Sequence, residues 1–323
     1  FFDVDIDGDM DLYVVSGGVE LPAGPSGQPD DEVLRDRLYL NDGSGAFSDA
    51  PEGTLPDVHD SGGTAVAADM DRDGDLDLFV GGRVIPGHYP LAPESRLLRN
   101  EDGRLVDVTD EAAPALRHTG LVTGALWSDV DNDGDPDLLV AHEWGPVKLF
   151  ANEDGRLEDR TEQAGLAGRI GWYNGINGRD VDHDGDIDYV VGNVGLNTKY
   201  HASEEQPALL YYGDFEGEGR KRLVEAEYED ENLFPIRGKS CSEHAMPFVT
   251  KQFPSFHEFA VASLAEIYTP RCLKESQRFA ANSFESGLLI NDGTGRFTFQ
   301  PFPRLAQISP VYGTVLTDVD GDG

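Results

Sequence analysis

A nine-residue acidic motif recurs four times and restricts the fold of this chain more than any other feature. The motif reads Asp-x-Asp-x-Asp-Gly-Asp-x-Asp and begins at Asp3, Asp69, Asp129 and Asp180, and a shorter copy begins at Asp318. Successive complete copies begin roughly 50 to 70 residues apart, a spacing that suits one supersecondary unit per repeat. The chain is therefore expected to be a repeat protein.

A second motif, an apolar strand followed by a tight turn and another strand, alternates with the acidic one. It occurs at 37–49, 96–110, 148–161 and 287–299, and a short apolar run also follows each complete acidic segment. Asn, Asp and Gly in the turns accept the positive φ angles that hairpins require. The sequence predicts an all-β fold in which a strand, an acidic loop, a strand and a hairpin form a four-stranded antiparallel blade.

The acidic segments fit neither of two known kinds of calcium-binding motif, the EF-hand and the tandem nonapeptide repeat of β-helices. An EF-hand needs a bidentate Glu at the twelfth loop position and a helix on each side. The twelfth residues here are Val14, Val80, Val140 and Val191, each in a predicted strand. Tandem nonapeptide β-helix repeats are excluded because the acidic segments lie far apart.

The acidic loops supply the kind of oxygen ligands that calcium binding requires. Ca²⁺ takes six to eight oxygen ligands in a flexible shell, whereas Mg²⁺ requires a rigid octahedral shell and retains several waters. In each loop the carboxylates of the first, third, fifth and ninth residues can converge with the carbonyl oxygen of the seventh, and the glycine at the sixth position allows a sharp turn. The predicted calcium-binding residues are Asp3, Asp5, Asp7, Asp9 and Asp11; Asp69, Asp71, Asp73, Asp75 and Asp77; Asp129, Asp131, Asp133, Asp135 and Asp137; Asp180, Asp182, Asp184, Asp186 and Asp188; and Asp318, Asp320 and Asp322.

Two of the acidic loops are incomplete. The loop at 214–222 begins at Asp214, but its ninth residue is Arg222, whose positive charge would compete with a cation. The loop from Asp318 lacks its final ligand. We therefore expect four complete calcium sites, one truncated site and one degenerate loop without metal.

The charge balance agrees with a cation-loaded protein and excludes several partners. The chain has 61 Asp and Glu against 25 Lys and Arg, a net charge of −36. Nucleic acids and anionic membrane surfaces require basic patches, so neither is expected as a partner, and no apolar run is long enough to insert into a membrane. The chain opens within one acidic motif and stops within another, so we expect it to be part of a longer protein whose signal peptide lies outside this segment.

Together these motifs resemble FG-GAP/VCBS repeats, as in the propellers of integrin α subunits. The segments GWYNGINGRDVDHDGDIDYVVGNVG (171–195) and RGKSCSEHAMPF (237–248) resemble the subgroup associated with ASPIC/UnbV domains and cartilage acidic protein. The resemblance implies a single calcium-binding β-propeller over 1–323, commonly seven-bladed and here incomplete at both ends. It also implies a secreted or cell-surface protein with an interaction role.

The β pattern is interrupted at 235–286, where a helical insertion is expected. A capping box formed by Ser255 and Glu258 begins one predicted helix, and Thr269 precedes a second that extends to about Ala281. Cys241 and Cys272 lie within this insertion, either as a disulfide or as two separate buried residues. The insertion either packs on the propeller or shapes a ligand site on one of its faces.

No catalytic motif is found, so a binding or adhesion scaffold for an extracellular protein or glycan is favoured over an enzyme. The alternative is a carbohydrate-active enzyme, a polysaccharide lyase or hydrolase, built on a calcium-braced propeller; Arg83, Arg179 and Lys199 are its candidate basic residues. The three tryptophans either line a sugar site or pack in the core, and the scattered histidines are expected to be surface or core residues. The three tryptophans are Trp127, Trp144 and Trp172.

Overall fold

The computed structural model describes residues 1–24 and 29–318, and within this range the fold is mostly β. The strands form five antiparallel sheets, four of them made largely of successive segments of the chain. Sheet I contains β1 (Leu12–Val14), β2 (Arg37–Asn41) and β3 (Phe47–Asp49). Sheet II contains β4 (Ser61–Ala68), β5 (Asp77–Val84), β6 (Arg96–Glu101) and β7 (Arg104–Asp107).

Sheets III and IV repeat this plan further along the chain. Sheet III contains β8 (Leu121–Ser128), β9 (Asp137–Gly145), β10 (Lys148–Glu153) and β11 (Arg156–Asp159), with the short β12 (Gly171–Trp172) added against β9. Sheet IV contains β13 (Gly175–Arg179), β14 (Asp188–Gly192), β19 (Gly287–Asn291) and β20 (Phe297–Pro301). In sheets II, III and IV an acidic loop joins the first two strands, and in sheet I the first acidic loop is closed by a bridge between Phe2 and Asp11. The predicted repeating unit is confirmed, and the fold is consistent with a β-propeller-like architecture.

The hairpin turns have the backbone conformation that their sequence predicts. Asp102 and Gly103 have φ angles of 53° and 85°, and Asp154 and Gly155 have φ angles of 52° and 80°. Each pair lies between two paired strands, β6 with β7 and β10 with β11. Two consecutive positive φ angles define the type I′ turn, whose twist matches that of the flanking strands.

The strands that follow the acidic loops are buried on both faces. In β9, Leu138 and Val140 pack in a cluster shared with sheet II, whereas Leu139 and Ala141 pack in a cluster shared with sheet IV. Successive side chains of a strand point to opposite faces of its sheet. A strand between two neighbouring sheets therefore reads as an unbroken apolar run, which explains the Leu138–Ala141 segment.

Sheet V interrupts sheet IV and contains the degenerate acidic loop at 214–222. The chain leaves sheet IV after β14 and returns only at β19, and it forms a separate sheet in between. That sheet contains β15 (Ala208–Gly213), β16 (Arg222–Glu229), β17 (Asn232–Pro235) and β18 (Gln277–Ala281), in the order β17-β16-β15-β18. The hairpin at 287–299 therefore completes the blade that begins with the acidic loop at Asp180.

The helical segment between β17 and β18 differs from its prediction. It contains five short helices rather than two: α2 (Lys239–Ala245), α3 (Phe248–Gln252), α4 (Phe256–Val261), α5 (Leu264–Tyr268) and α6 (Pro270–Glu275). The capping box of Ser255 and Glu258 is confirmed, but a second one at Ser263 and Glu266 starts a new helix after Ala262 takes an extended conformation. The prediction of helix up to Ala281 is wrong because residues Gln277–Ala281 pair with β15 as β18.

A few other helical turns lie outside the insertion. The helix α1 (Thr109–Ala112) follows β7, and 3₁₀ turns occupy Glu32–Leu34, Pro114–Leu116 and Arg304–Gln307. Neither expectation for the cysteines is met: Cys241 and Cys272 are both free thiols, but Cys241 is exposed and Cys272 is only partly buried. Among the described residues no helix is long and apolar enough to cross a membrane.

We predict that Leu138→Ala and Leu139→Ala destabilise the protein by similar amounts. Each should lower the free energy of unfolding by about 2–5 kcal/mol, because each removes a fully buried leucine from a different inter-sheet cluster. Urea denaturation of the chain measures both, with Leu305→Ala as the control because Leu305 is 81% exposed. A loss below about 1 kcal/mol for either core variant would show that one face of β9 is not packed.

Candidate metal centre

Each complete acidic loop brings three carboxylates together. The ligand oxygens of the first, third and ninth aspartates lie within 4.8 Å of one another in all four loops. The four groups are Asp3, Asp5 and Asp11; Asp69, Asp71 and Asp77; Asp129, Asp131 and Asp137; and Asp180, Asp182 and Asp188. The structure therefore contains four aspartate clusters that could hold a metal ion.

The backbone of the loops explains how three carboxylates converge within nine residues. The sixth residue is a glycine with φ between 92° and 101° in every loop, at Gly8, Gly74, Gly134 and Gly185. Its amide donates to the first carboxylate, at 3.1 Å from Gly74 N to Asp69 Oδ2. Few residues other than glycine adopt such a φ, so this position turns the chain back over the first aspartate.

The fourth residue of every loop also has a positive φ, although none is a glycine. These residues are Ile6, Arg72, Asn132 and His183, with φ between 59° and 63°. A left-handed conformation is strained for Arg72 and above all for the β-branched Ile6, whereas Asn and His adopt it more readily. The same conformation at four positions with such different side chains indicates that the loop path is imposed by its hydrogen bonds and not by local preference.

The ninth aspartate is the most deeply placed member of each cluster. Asp77 has no exposed surface, and its carboxylate accepts from Met70 N at 3.0 Å and from Asn100 N at 2.8 Å. Asp137 makes the equivalent bonds to Val130 and Asn152. The ninth carboxylate thus fastens the acidic loop to the hairpin of its own sheet.

Burial makes these carboxylates hard to ionise without a cation. It raises the pKa of Asp77 and of Asp137 to about 7, against the lowering effect of the backbone amides that they accept from. Burial and, next, repulsion from the neighbouring aspartates also raise the pKa of Asp71 and Asp131. A positive charge at the centre of each cluster would remove this penalty.

Unpaired oxygens identify where that charge would bind. Asp69 Oδ1, Asp71 Oδ1 and Asp129 Oδ1 are buried and have no hydrogen-bond partner. Buried polar atoms are almost always satisfied in folded proteins. These oxygens belong to the first and third aspartates of two clusters, so the residues present fit a metal ion.

The fifth and seventh aspartates lie differently from the other three. Asp73 Oδ1 accepts from Asp75 N at 2.9 Å, and the fifth aspartates do not belong to the groups of converging oxygens found among the described residues. Two of the seventh side chains face a neighbouring loop instead: Asp135 pairs with Arg72, and Asp186 Oδ1 accepts from Asn132 Nδ2 at 2.7 Å. The contribution of the seventh residue through its carbonyl oxygen remains a prediction.

A conserved role for one hairpin asparagine was missed in the sequence, although its signal was present. An Asn is the last or the second-last residue of the first hairpin strand in all four hairpins, at Asn41, Asn100, Asn152 and Asn291. The Nδ2 atoms of Asn100, Asn152 and Asn291 donate at 2.8 Å to the second carbonyl of the preceding acidic loop, in Val4, Met70 and Val130. These side chains therefore join each repeat to the one before it.

The two incomplete loops differ from the other four. In the loop at 214–222, Asp214 accepts hydrogen bonds from four backbone amides, and Arg222 Nε lies 3.8 Å from Glu216 Oε2. In the last loop, Asp318 is described, whereas Asp320 and Asp322 lie outside the described residues. The expectations of an empty degenerate loop and of a truncated final site remain predictions.

Comparison with protein families agrees with this geometry. The model of the FG-GAP-like repeat matches residues 3–80 and 129–191. The chain contains FG-GAP-like repeats. The matched segments include all four aspartate clusters completely, and part or all of sheets I to IV. Comparison with curated protein sequences gives no significant match.

The three candidate basic residues lie outside the aspartate clusters, and each contacts another group of the protein. Arg83 Nη2 donates to Glu143 Oε2 at 2.5 Å, and Lys199 Nζ lies 3.5 Å from Glu225 Oε2. Arg179 Nη1 lies 3.5 Å from the carbonyl oxygen of Leu316. Arg83 and Lys199 thus each pair with a glutamate, whereas Arg179 lies beside a backbone carbonyl group.

The tryptophans fall into two groups. Trp127 packs against the core between sheets II and III, and its Nε1 donates to Val66 O at 3.1 Å. Trp144 and Trp172 pack together at the other end of β9 and line a cavity. Core packing is confirmed for Trp127, whereas the other two also border an open space.

One histidine in β9 is a fully structural residue. His142 is buried, and its Nδ1 donates to Pro146 O at 2.9 Å because a carbonyl oxygen can only accept. Its Nε2 therefore accepts from the Thr119 hydroxyl at 3.2 Å. Burial lowers the pKa of His142 to about 3, so the ring is neutral at physiological pH.

We predict that Asn152→Ala lowers the free energy of unfolding by about 1–3 kcal/mol, because it leaves buried carbonyl groups of Met70 and Pro136 without a donor. Asn41→Ala is the matched control, since Asn41 Nδ2 donates only to Met10 O within its own repeat, at 3.2 Å on the surface. Urea denaturation measures both variants. Equal losses for Asn41→Ala and Asn152→Ala would contradict a role in joining repeats.

Proposed function

We propose that this chain is part of an extracellular, calcium-binding β-propeller that serves as a binding or adhesion scaffold for a protein or glycan ligand. The observation that carries the proposal is the set of four equivalent aspartate clusters, each with a buried ninth carboxylate. Similar clusters at four equivalent places are expected of a structural ion in every repeat. A single catalytic site would not be repeated in this way.

Calcium is the metal that these clusters suit best. Carboxylate and carbonyl oxygens are hard ligands, and no Cys or His belongs to the four clusters, which disfavours zinc and copper. The clustered oxygens come from a nine-residue turn of irregular backbone, and Ca²⁺ tolerates such irregular shells better than Mg²⁺ does. Water and the seventh carbonyl oxygen would complete each shell.

The position of the clusters supports a structural role for calcium. Each cluster joins two strands and a hairpin of one sheet through its ninth aspartate, and hairpin asparagines fasten the same loops to the next repeat. An ion bound there would hold neighbouring repeats together. A rigid ring of this kind presents loops and insertions as binding surfaces, and millimolar extracellular calcium would keep even weak sites occupied.

The likeness of segments 171–195 and 237–248 to proteins with ASPIC/UnbV domains supports a narrower proposal. We place the chain in that subgroup, which also includes cartilage acidic protein. Both segments lie at sheet IV and its insertion, where the chain departs from the plain repeat plan. A ring of seven blades, completed by residues outside this segment, belongs to the same proposal.

We predict a large calcium-specific stabilisation. Thermal unfolding in EDTA and again with millimolar CaCl₂ should differ by at least ~5 °C, because each site at 100 times its dissociation constant adds about 2.7 kcal/mol. MgCl₂ at the same concentration is the control and should give a much smaller rise. No rise with calcium, or an equal rise with magnesium, would mean that the loops are solvated turns or unspecific cation traps.

We also predict that Asp71→Asn removes one bound calcium ion per chain. Asp71 supplies a buried, unpaired oxygen to the second cluster, and the amide cannot replace its charge. Equilibrium dialysis with metal analysis measures the stoichiometry. The matched control is Asp154→Asn, an exposed hairpin aspartate with φ of 52° that belongs to none of the clusters. An unchanged stoichiometry in Asp71→Asn would show that the second cluster does not hold the ion.

A further inference from the structure

A cavity of about 320 Å³ lies between the end of β9 in sheet III and the inserted sheet V with its helix α2. Its walls include Tyr89, Trp144 and Trp172 on one side, and Glu225, Arg237 and Tyr268 on the other. Small-molecule sites are concave, mostly apolar and furnished with a few polar groups, and their volumes begin at about 300 Å³. The cavity has this composition and lies where the repeat pattern is broken.

The aromatic wall is held rigidly in a strained arrangement. The rings of Trp144 and Trp172 meet edge to face with centroids 4.8 Å apart. Trp144 has a φ of 57°, in the left-handed region that a residue of this size rarely adopts. Trp144 Nε1 donates to Tyr89 Oη at 2.6 Å, and Tyr89 Oη donates to Glu143 Oε1 at 2.7 Å. Strain of this kind persists where the surrounding structure enforces it, and it is common at ligand sites.

A second unusual feature of the same wall is the environment of the Trp172 side chain. Trp172 Nε1 is buried and has no hydrogen-bond partner. Buried indole N–H groups usually find an acceptor. The aromatic wall therefore contains both a strained tryptophan and an unsatisfied one, which core packing alone does not explain.

The opposite wall contains a carboxylate, that of Glu225, whose two oxygens both accept hydrogen bonds. The Glu225 carboxylate accepts from Tyr200 Oη and from Arg237 Nε, and Lys199 Nζ lies 3.5 Å away. Burial opposes its ionisation, but the bonds from Arg237 and Tyr200 and the charge of Lys199 hold the pKa of Glu225 below its usual range. The Glu225 carboxylate is therefore ionised and paired, and Arg237 is the cation that lines the cavity.

Arg237 has donors left for a ligand. It binds Glu225 through Nε, and its side chain is 58% exposed at the cavity. A guanidinium presents five N–H donors in a plane that matches a carboxylate in two-point fashion. The η nitrogens are therefore placed to receive an anionic group.

We propose that this cavity binds a small ring compound that carries a carboxylate, with the ring against Trp144 and Trp172 and the carboxylate on Arg237. Such a compound is either a uronic acid unit of an acidic glycan or an aromatic carboxylate. The inference deepens the proposed binding role and rests on it, but it does not depend on calcium. Asp137 and Trp144 lie at opposite ends of β9, roughly 23 Å apart at 3.3 Å per residue.

Binding is tested by titration calorimetry of the calcium-loaded chain with two acids, digalacturonate and phenylacetate, and with their neutral counterparts, galactobiose and phenylacetamide. One acid should bind at least ~10-fold more tightly than its neutral counterpart, and which acid binds identifies the source. Equal affinity for an acid and its neutral counterpart would overturn the assignment of the carboxylate to Arg237. Absence of binding by both acids would overturn the inference, whereas a missing calcium stabilisation would overturn the proposed function.

Two further measurements locate the ligand. Arg237→Gln should weaken binding of the acid at least ~10-fold, and Arg271→Gln is the matched control because Arg271 lies on α6, is exposed and pairs only with Glu275. The exposed Cys241 thiol lines the cavity, whereas Cys272 does not. Saturating ligand should therefore slow maleimide labelling of Cys241 and leave that of Cys272 unchanged. Unchanged affinity in Arg237→Gln, or no protection of Cys241, would place the ligand elsewhere.

Discussion

The fold depends on a buried aspartate at the end of each acidic loop. The ninth aspartates are at most 2% exposed, and each accepts one backbone amide from its own loop and another from the following hairpin. A hydrophobic residue there could pack equally well but could not receive these amides, which would then be buried without acceptors. The carboxylate solves that problem and creates another, because a buried negative charge next to two more carboxylates is costly. A bound cation would offset the cost of burying this negative charge.

The same loops also link the repeats to one another. A hairpin asparagine reaches the second carbonyl of the preceding loop, while the fourth residue of one loop contacts the seventh aspartate of the next, as Arg72 does with Asp135. Ile6 occupies the fourth position in the first loop and has no polar group for such a contact. The linkage through asparagine is therefore the more regular of the two. Because it connects backbone to backbone through one short side chain, it fixes the spacing between neighbouring sheets.

Much of this could be predicted from the sequence because the signals are local and repeated. The spacing of the aspartates predicted the loops, and the glycine at the sixth position predicted their sharp turn. The Asp-Gly pairs predicted hairpins, and their positive φ angles agree with that prediction. The position of the hairpin at 287–299 could not be predicted in the same way, since β14 and β19 pair across the whole of sheet V. The predicted length of the second helix in the insertion was wrong for a similar reason. Residues Gln277–Ala281 have helical spacing but pair with β15, and long-range pairing overrides a local periodicity.

The cavity beside Trp144 could not have been found from the sequence by any local rule. Its walls come from the loop between β5 and β6 of sheet II, from β9 and β12, and from the strands and first helix of the insertion. Each contribution alone resembles ordinary core: an aromatic residue in a strand, a glutamate in a strand, an arginine before a helix. Only the packing of these segments against one another places the strained Trp144 opposite the exposed guanidinium of Arg237. The regular repeats form the frame, and the departure from regularity at sheet V brings these groups together at one cavity.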